Sequence, residues 1–262
     1  MARQLQIDYI IKKINHYDVI IIGGGGIYSN FFFPLDERIL SQIKIPLVIF
    51  SPGLNINLNS PELTKEAKES IRYLNSIAKL SSVRDENTLK ILKKELKNNT
   101  FNIGCPSILL NEKESKKFKI SKNNFNIGLN IGFHVASITK EKVDEIINLY
   151  GYIVNKLNLS KPIKIYYFRH HPKEKYVIKS LKNKFKEVIV IDLSPKEMKY
   201  YYGKMDFVLC MMLHSSILSF GSGTNFFNFA YNSKNIAFMK DIGKDKDYIK
   251  IDKIKDKERV YK

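Results

Sequence analysis

Short runs of β-branched and apolar residues set the tightest limit on what this chain can fold into. Each run stops at a glycine-rich or polar loop, and each is followed by a segment of helical period. Asp18-Val19-Ile20-Ile21-Ile22 ends in Gly23-Gly24-Gly25-Gly26, and Leu47-Val48-Ile49-Phe50 ends in Ser51-Pro52-Gly53. Runs that lack polar alternation predict parallel strands buried on both faces. Further strands are expected around Leu80 to Val83, Asn126 to Asn130, Ile163 to Phe168, Val188 to Ile191 and Asp206 to Cys210. Helical spacing predicts helices over Leu5 to Ile14, Pro61 to Leu74, a stretch carrying Leu89, Leu92 and Leu96, Lys140 to Leu157, Glu174 to Phe185, a segment opened by Pro195, and His214 to Phe220.

Strands alternating with helices imply an α/β protein with mostly parallel sheets. The polar, lysine-rich stretch Asn111 to Asn124 carries no periodicity and reads as a linker. The expected organisation is an N-terminal Rossmann-like domain at 1–112, a linker at 113–124 and a C-terminal Rossmann-like domain at 125–262. The C-terminal tail is a segment able to pack back on the first domain.

Composition narrows the class. An apolar fraction of 44% over 262 residues suffices for a buried core and argues against disorder. No run reaches the roughly 20 apolar residues that span a bilayer, and the N-terminus has no apolar signal core. A cytoplasmic protein is expected. Cys105 and Cys210 lie in separate apolar contexts with no metal-ligand spacing, which suits a reducing compartment. The formal charge of +18 could attract phosphorylated substrates, anionic lipid or nucleic acid. Lysines supply most of it and are mixed with acids along the chain, so specific nucleic-acid binding is not expected, whereas peripheral contact with an anionic membrane is compatible. Arginines are rare, and those at strand ends therefore carry more information.

Ligands of open parallel sheets bind beyond the carboxyl ends of the strands. That rule selects the loops Gly23–Asn30, Ser51–Asn57, Arg84–Asp85, Ile131–Val135, Arg169–Pro172 and Met211–Ser216. Gly23, Gly24, Gly25 and Gly26 can present backbone N–H groups to an anion. They do not form the G-x-G-x-x-G dinucleotide fingerprint, which disfavours a nicotinamide enzyme. Arg84 ends a strand and suits a carboxylate or phosphate, while Asp85 can cap the next helix. Arg169, His170 and His171 end another strand, where they could bind phosphate or supply a proton. Their adjacent side chains diverge and lack a third ligand, so no metal site is expected. His214 stands at a helix N-terminus directly after a buried strand, a setting that lowers imidazole basicity and favours an anionic ligand.

At these residues the chain resembles the polysaccharide pyruvyl transferase family. The matches run in order: Asp18 to Gly26, Ser82-Val83-Arg84-Asp85, Gly104-Cys105-Pro106-Ser107, Ile127-Gly128-Leu129-Asn130, His171-Pro172, and the block Met205 to Lys234. That block contains Leu213-His214-Ser215, Gly223-Thr224 and Ala230-Tyr231-Asn232-Ser233-Lys234. The resemblance implies a GT-B-like pair of Rossmann-like domains with the active site in the interdomain cleft. It also implies transfer of the enolpyruvyl part of phosphoenolpyruvate to a sugar of a surface or extracellular glycan precursor, giving a pyruvate ketal and phosphate. No cofactor or metal is required; phosphoenolpyruvate is the donor substrate, and the saccharide acceptor could be lipid-linked.

On this resemblance His214 is the general acid and Arg84 a catalytic cation. Gly23, Gly24, Gly25, Gly26, Asp85, Arg169, His171, Ser215 and Lys234 are the substrate-binding candidates. The chain departs from the family pattern at Met212, where an arginine is usual, and at Asn225, where a proline is usual. An earlier strand with an Asn-x-Gly-Asp loop also has no counterpart, so the first βα unit reads as missing. One lost oxyanion-type donor costs about 3–4 kcal/mol of transition-state stabilisation. Two other functions fit parts of the sequence. A GT-B glycosyltransferase using a nucleotide sugar needs an acidic ribose-binding residue, for which the second half offers Asp192 and Asp206. A non-catalytic protein binding anionic glycans needs only the lysines.

Overall fold

The computed structural model describes residues 2–30, 40–55, 62–132, 138–157 and 160–254. Its backbone divides into two compact units. Unit 1 comprises Met1–Pro106 with Asn232–Asp241, and unit 2 comprises Ser107–Tyr231 with Ile242–Lys262. The stretch 113–124, which reads as a linker, lies inside unit 2. Its backbone is anchored there by Tyr201, whose Oη donates to Ser115 O at 2.8 Å and accepts from Phe118 N at 2.8 Å. Between the two C-terminal segments of unit 2, Asn232–Asp241 is contributed to unit 1.

In unit 1, helix α1 (Ala2–Ile14) precedes strand β1 (Ile20–Gly23). Then come β2 (Leu47–Phe50), helix α2 (Lys65–Ile77), β3 (Leu80–Val83), the short helix α3 (Glu86–Ile91) and β4 (Phe101–Asn102). Helix α2 starts at Thr64, whose side chain accepts from Ala67 N, and it buries Ala67, Ile71 and Leu74. Helix α3 is shorter than the leucine spacing predicts. It ends at Ile91, and Leu92 and Leu96 are buried from the turns beyond it.

The four strands are parallel in the order β1-β2-β3-β4, so the chain always steps the same way across the sheet. Right-handed crossovers between strands stepping one way favour a single face for the helices. That face buries Ile49 and Val83 against Ile71 and Leu74. The other carries aliphatic side chains in register, Ile21 beside Val48 and Val48 beside Leu80, with Phe101 paired to the buried Ser82 at the edge. Ile21 is 62% exposed, Phe50 44%, Leu80 43% and Phe101 47%. The expectation that β1 is buried on both faces is therefore corrected. The run of isoleucines is real, but only one of its faces is packed into the core, and Ile21 on the other stays exposed.

Unit 2 steps in both directions. Its strands are β5 (Phe125–Leu129), β6 (Ile163–Phe168), β7 (Val188–Ile191), β8 (Phe207–Cys210), β9 (Phe226–Ala230) and β10 (Tyr248–Lys250). The sheet order is β10-β9-β8-β5-β6-β7, all parallel, so winding reverses between β5 and β8. Helices α4 (Lys140–Lys156), α5 (Lys175–Lys184), α6 (Pro195–Tyr202) and α7 (Leu213–Gly221) belong to this unit. The last helix, α8 (Ser233–Asp241), lies in the segment given to unit 1. Apolar side chains such as Ile127, Leu129, Ile146, Leu181, Leu209 and Phe229 pack into the core of unit 2. Among the described residues, no helix is long and apolar enough to cross a membrane.

Candidate active site

The carboxyl ends of β1, β2 and β3 meet around the glycine loop. Gly24 and Gly25 have φ of 96° and 52°, in the region that a side chain disfavours. The turn that they allow brings Gly25 O to Gly53 N at 2.9 Å and Tyr28 N to Gly53 O at 3.2 Å. Arg84 follows β3, and its backbone N donates to Pro52 O at 3.1 Å. Its guanidinium lies flat against Gly53, where an added Cβ would come within 2.0 Å of Nε. The Arg84 side chain is only 9% exposed. Its Nε stands 3.4 Å from Asp85 Oδ2, while Nη2 is buried with no hydrogen-bond partner among the described residues. Buried donors are almost always satisfied, so Nη2 is a donor suited to an incoming acceptor group.

Asp85 performs the capping role expected of it. Its Oδ1 accepts from Thr88 N at 2.6 Å at the start of α3. Thr88 Oγ1 in turn accepts from Leu54 N at 2.9 Å, tying the end of β2 to the arginine loop.

Lys234, on α8, reaches the same neighbourhood. An added Cβ at Gly26 would lie 3.4 Å from Lys234 Cδ. Burial, and then the charge of Arg84, push the Lys234 ammonium down to about 8. Two cations held close in a partly dry setting have the charge and desolvation that suit an anion. Asp241, at the end of α8, fixes that helix by accepting from Glu86 N at 3.0 Å and Asn102 Nδ2 at 3.4 Å.

In unit 2 the reversal of winding opens the sheet between β5 and β8, where a doubly wound fold binds ligands. Asn130 bridges this point. Its Nδ2 donates to Phe168 O at 3.0 Å and its Oδ1 accepts from Met212 N at 3.0 Å. The start of α7 is thereby fixed, and His214, its second residue, is exposed there. The ring of His170 lies alongside that of His214, with centroids 6.3 Å apart and planes inclined by 29°. His170 Nε2 is 2.8 Å from Tyr202 Oη, which donates to Ser215 Oγ at 2.8 Å. Ser215 Oγ continues to Cys210 Sγ at 3.2 Å. Burial pushes the Cys210 thiol up to about 11 and the Tyr202 phenol well above its usual value, so both keep their protons.

The other candidates of this unit hold the loop after β6. Arg169 Nη1 donates to Asp192 Oδ2 at 2.6 Å, and Nε and Nη2 donate to His171 O and Pro172 O at 3.3 and 3.1 Å. His171 Nδ1 accepts from Lys173 N at 3.1 Å and caps the short turn Pro172–Glu174. Ser215 is fully buried, with its hydroxyl turned into the Tyr202–Cys210 chain. Glu174 lies under the loop, accepting from His170 N at 3.1 Å and Tyr167 Oη at 2.9 Å, and burial pushes its carboxyl up to about 7. Among the described residues, no three His, Cys, Asp or Glu side chains converge as metal ligands.

Two residues have partners here that their places in the sequence do not specify. Asn130 ends a strand where its side chain cannot be distinguished from a loop amide. His170 is adjacent to His171, and only the loop geometry decides which ring turns towards His214.

Comparison with known proteins agrees with this architecture. Residues 2–233 match the family model for polysaccharide pyruvyl transferase. No curated protein matches the chain in sequence. Similar solved structures include a UDP-GlcNAc 2-epimerase from Methanocaldococcus jannaschii in complex with UDP-GlcNAc and UDP, with 16% identity and a TM-score of 0.61 over 97% of this chain and 70% of that one. A putative UDP-N-acetylglucosamine 2-epimerase from Listeria monocytogenes gives 12% identity and 0.59 over 98% and 73%. MurG from Acinetobacter baumannii gives 13% identity and 0.52 over 97% and 66%. At such identities the likeness establishes the fold, that of the GT-B glycosyltransferases and epimerases.

Proposed function

The chain belongs to the polysaccharide pyruvyl transferase family, and from that premise we propose that it transfers the pyruvyl group of phosphoenolpyruvate to a saccharide, forming a cyclic ketal. The observation that carries this reading is the pair Arg84 and Lys234. A buried guanidinium whose Nη2 has no partner among the described residues and a desolvated ammonium match a small donor bearing both a carboxylate and a phosphate.

The chemistry assigns distinct tasks to the two sets of residues. A proton from His214 goes to the methylene carbon of the donor, leaving an oxocarbenium-like centre at the adjacent carbon. A sugar hydroxyl adds there and loses its proton. A second hydroxyl of the same sugar then forms the other C–O bond, its proton leaving with the departing phosphate. Arg84 and Lys234 hold the anionic groups, and the Gly23–Gly26 loop beside them is assigned to phosphate or to the acceptor. The Met212 side chain offers no charge beside His214. Arg169 is committed to Asp192 and the loop carbonyls.

A nucleotide-sugar transferase is the second reading, favoured by the fold shared with the UDP-GlcNAc 2-epimerases. The acids that it would need are otherwise engaged. Asp192 pairs with Arg169, and Asp206 accepts from Asn126 N at 2.7 Å at the amino end of the sheet. Incubation with phosphoenolpyruvate and a panel of saccharides, following phosphate release and ketal formation, tests the first reading. Turnover of a nucleotide sugar with no ketal from any acceptor would establish the second.

A further inference from the structure

We propose that Ser51 is a positioning residue for Arg84, held in a left-handed turn at the end of β2 that sets Pro52 and Gly53 against the arginine. This rests on Arg84 gripping an anionic group of the donor, but the contacts that carry it lie within unit 1. Among the described residues Ser51 is the only non-glycine residue with a positive φ, 55°. A side chain disfavours that region, and a residue before proline is steered towards extended backbone. The local sequence thus opposes the turn, and contacts from elsewhere in the unit impose it.

Those contacts lace the ends of three strands together. Ser51 N donates to Ser82 Oγ at 3.1 Å, and the same hydroxyl donates to Ile49 O at 3.1 Å, so Ser82 of β3 clasps β2 on both sides of Phe50. Ser51 Oγ donates to Gly104 O at 2.8 Å, just beyond β4. Gly104, with a φ of 74°, is itself fixed by its N–H, which donates to Asn102 Oδ1 at 2.9 Å. Ser51 and Ser82 are each 2% exposed, so these bonds are shielded from competing water.

What the turn delivers is the bed on which Arg84 rests. Pro52 O accepts from Arg84 N at 3.1 Å, and the guanidinium lies against the bare Cα of Gly53. An extended Ser51 would redirect the Pro52 carbonyl and carry Gly53 away from the guanidinium plane. Beyond the turn the loop is pinned separately, by Gly53 N to Gly25 O at 2.9 Å and by Leu54 N to Thr88 Oγ1 at 2.9 Å. The strained residue therefore stands between two fixed points, beside a buried guanidinium whose Nη2 has no partner among the described residues. A binding group needs supports of this kind to keep its direction while no ligand is bound.

The test is a double-mutant cycle on the full chain, with affinity for phosphoenolpyruvate measured by calorimetry. Ser51→Val, whose branched side chain strongly disfavours a positive φ, is expected to weaken binding about tenfold, as loss of one charged hydrogen bond would. In an Arg84→Lys background the same substitution is expected to change affinity by less than about twofold, because a residue acting through Arg84 has nothing left to aim. Ser51→Gly, which adopts the turn without strain, is expected to stay within about threefold of native affinity. A second readout involves no ligand: the Arg84 Nε–H signal of 15N-labelled arginine, assigned by its absence in Arg84→Lys. Its exchange with solvent is expected to be slow in the native chain and in Ser51→Gly, and about tenfold faster or more in Ser51→Val. Equal losses of affinity in both backgrounds, or Nε–H exchange unmoved by Ser51→Val, overturn the proposal. Should Ser51→Val not fold, Ser51→Ala beside Ser51→Gly decides it, since both lack the hydroxyl and only alanine resists the turn. Weaker binding and faster exchange in the alanine variant support the proposal, and equality of the two overturns it. Absence of binding by the native chain is a separate outcome: it removes phosphoenolpyruvate as the donor, and the Nε–H exchange alone then decides the role of Ser51.

Discussion

Arg84 lies over Gly53 so closely that the position admits no side chain: a methyl group there would meet Nε at 2.0 Å. The glycine is thus part of how the guanidinium is aimed. Gly53→Ala is expected to swing Arg84 out of place without unfolding unit 1, because the rest of the β2 end is held by Leu54 N and Thr88 Oγ1. A charged hydrogen bond contributes about 1.5–3 kcal/mol, so kcat/KM for phosphoenolpyruvate should fall roughly tenfold to a hundredfold. Steady-state kinetics beside a circular-dichroism melt check this, and a normal kcat/KM in a normally folded variant would be the contrary result.

Lys234 is expected to make donor binding depend on pH. Its ammonium is pushed down to about 8 in the free protein, so it loses its proton well below the usual lysine range. A bound anion stabilises the cation and raises that value. Between the free and bound values one proton is taken up on binding, and affinity falls by up to tenfold per pH unit. Calorimetric affinity for phosphoenolpyruvate should therefore decline as pH rises above about 8, whereas Lys234→Arg should hold its affinity to pH 10. A flat native profile over the same range would show that Lys234 does not meet the anion.

The two faces of the unit 1 sheet should respond differently to substitution. Ile49 is fully buried, and Ile49→Ala is expected to cost about 2–5 kcal/mol. Ile21 belongs to the same kind of isoleucine-rich strand pair but is 62% exposed, and Ile21→Thr should change stability by about 0.5 kcal/mol or less. Chemical denaturation measures both.

Asn130 is the keystone of the reversal point in unit 2. Asn130→Ala leaves Met212 N and Phe168 O without the partners they have in the native chain. About 1–3 kcal/mol should be lost, and turnover should fall with it because α7 carries His214. Asn130→Asp restores only the acceptor to Met212 N, so comparing the two by denaturation and kinetics separates the two bonds.

Much of the fold is written locally. The strands Leu80–Val83, Ile163–Phe168 and Val188–Ile191 start and stop where β-branched and aromatic residues meet turn-forming ones. Strand β9 is harder to read, because Phe226-Phe227-Asn228-Phe229-Ala230 carries a buried asparagine whose Nδ2 donates to Ser216 Oγ at 2.7 Å. No local pattern signals that partner.

The site divides the same way. Arg84 and the glycine loop are legible because strand ends are. That Lys234 joins them depends on the chain returning α8 to unit 1, a long-range event. Arg169 shows the opposite case. Its position at a strand end suggests an anion site, but Asp192, at the end of the neighbouring strand β7, meets its charge. Pairing across strands is set by the sheet order, which the linear sequence does not state.

The most direct measurement is a reaction of the native chain with phosphoenolpyruvate and a panel of saccharide acceptors, read by 31P NMR for phosphate and by mass spectrometry for the ketal. Equimolar phosphate and pyruvylated sugar are predicted from the native chain, and neither from a folded His214→Ala variant. Absence of ketal with every acceptor, or undiminished ketal from His214→Ala, would contradict the account.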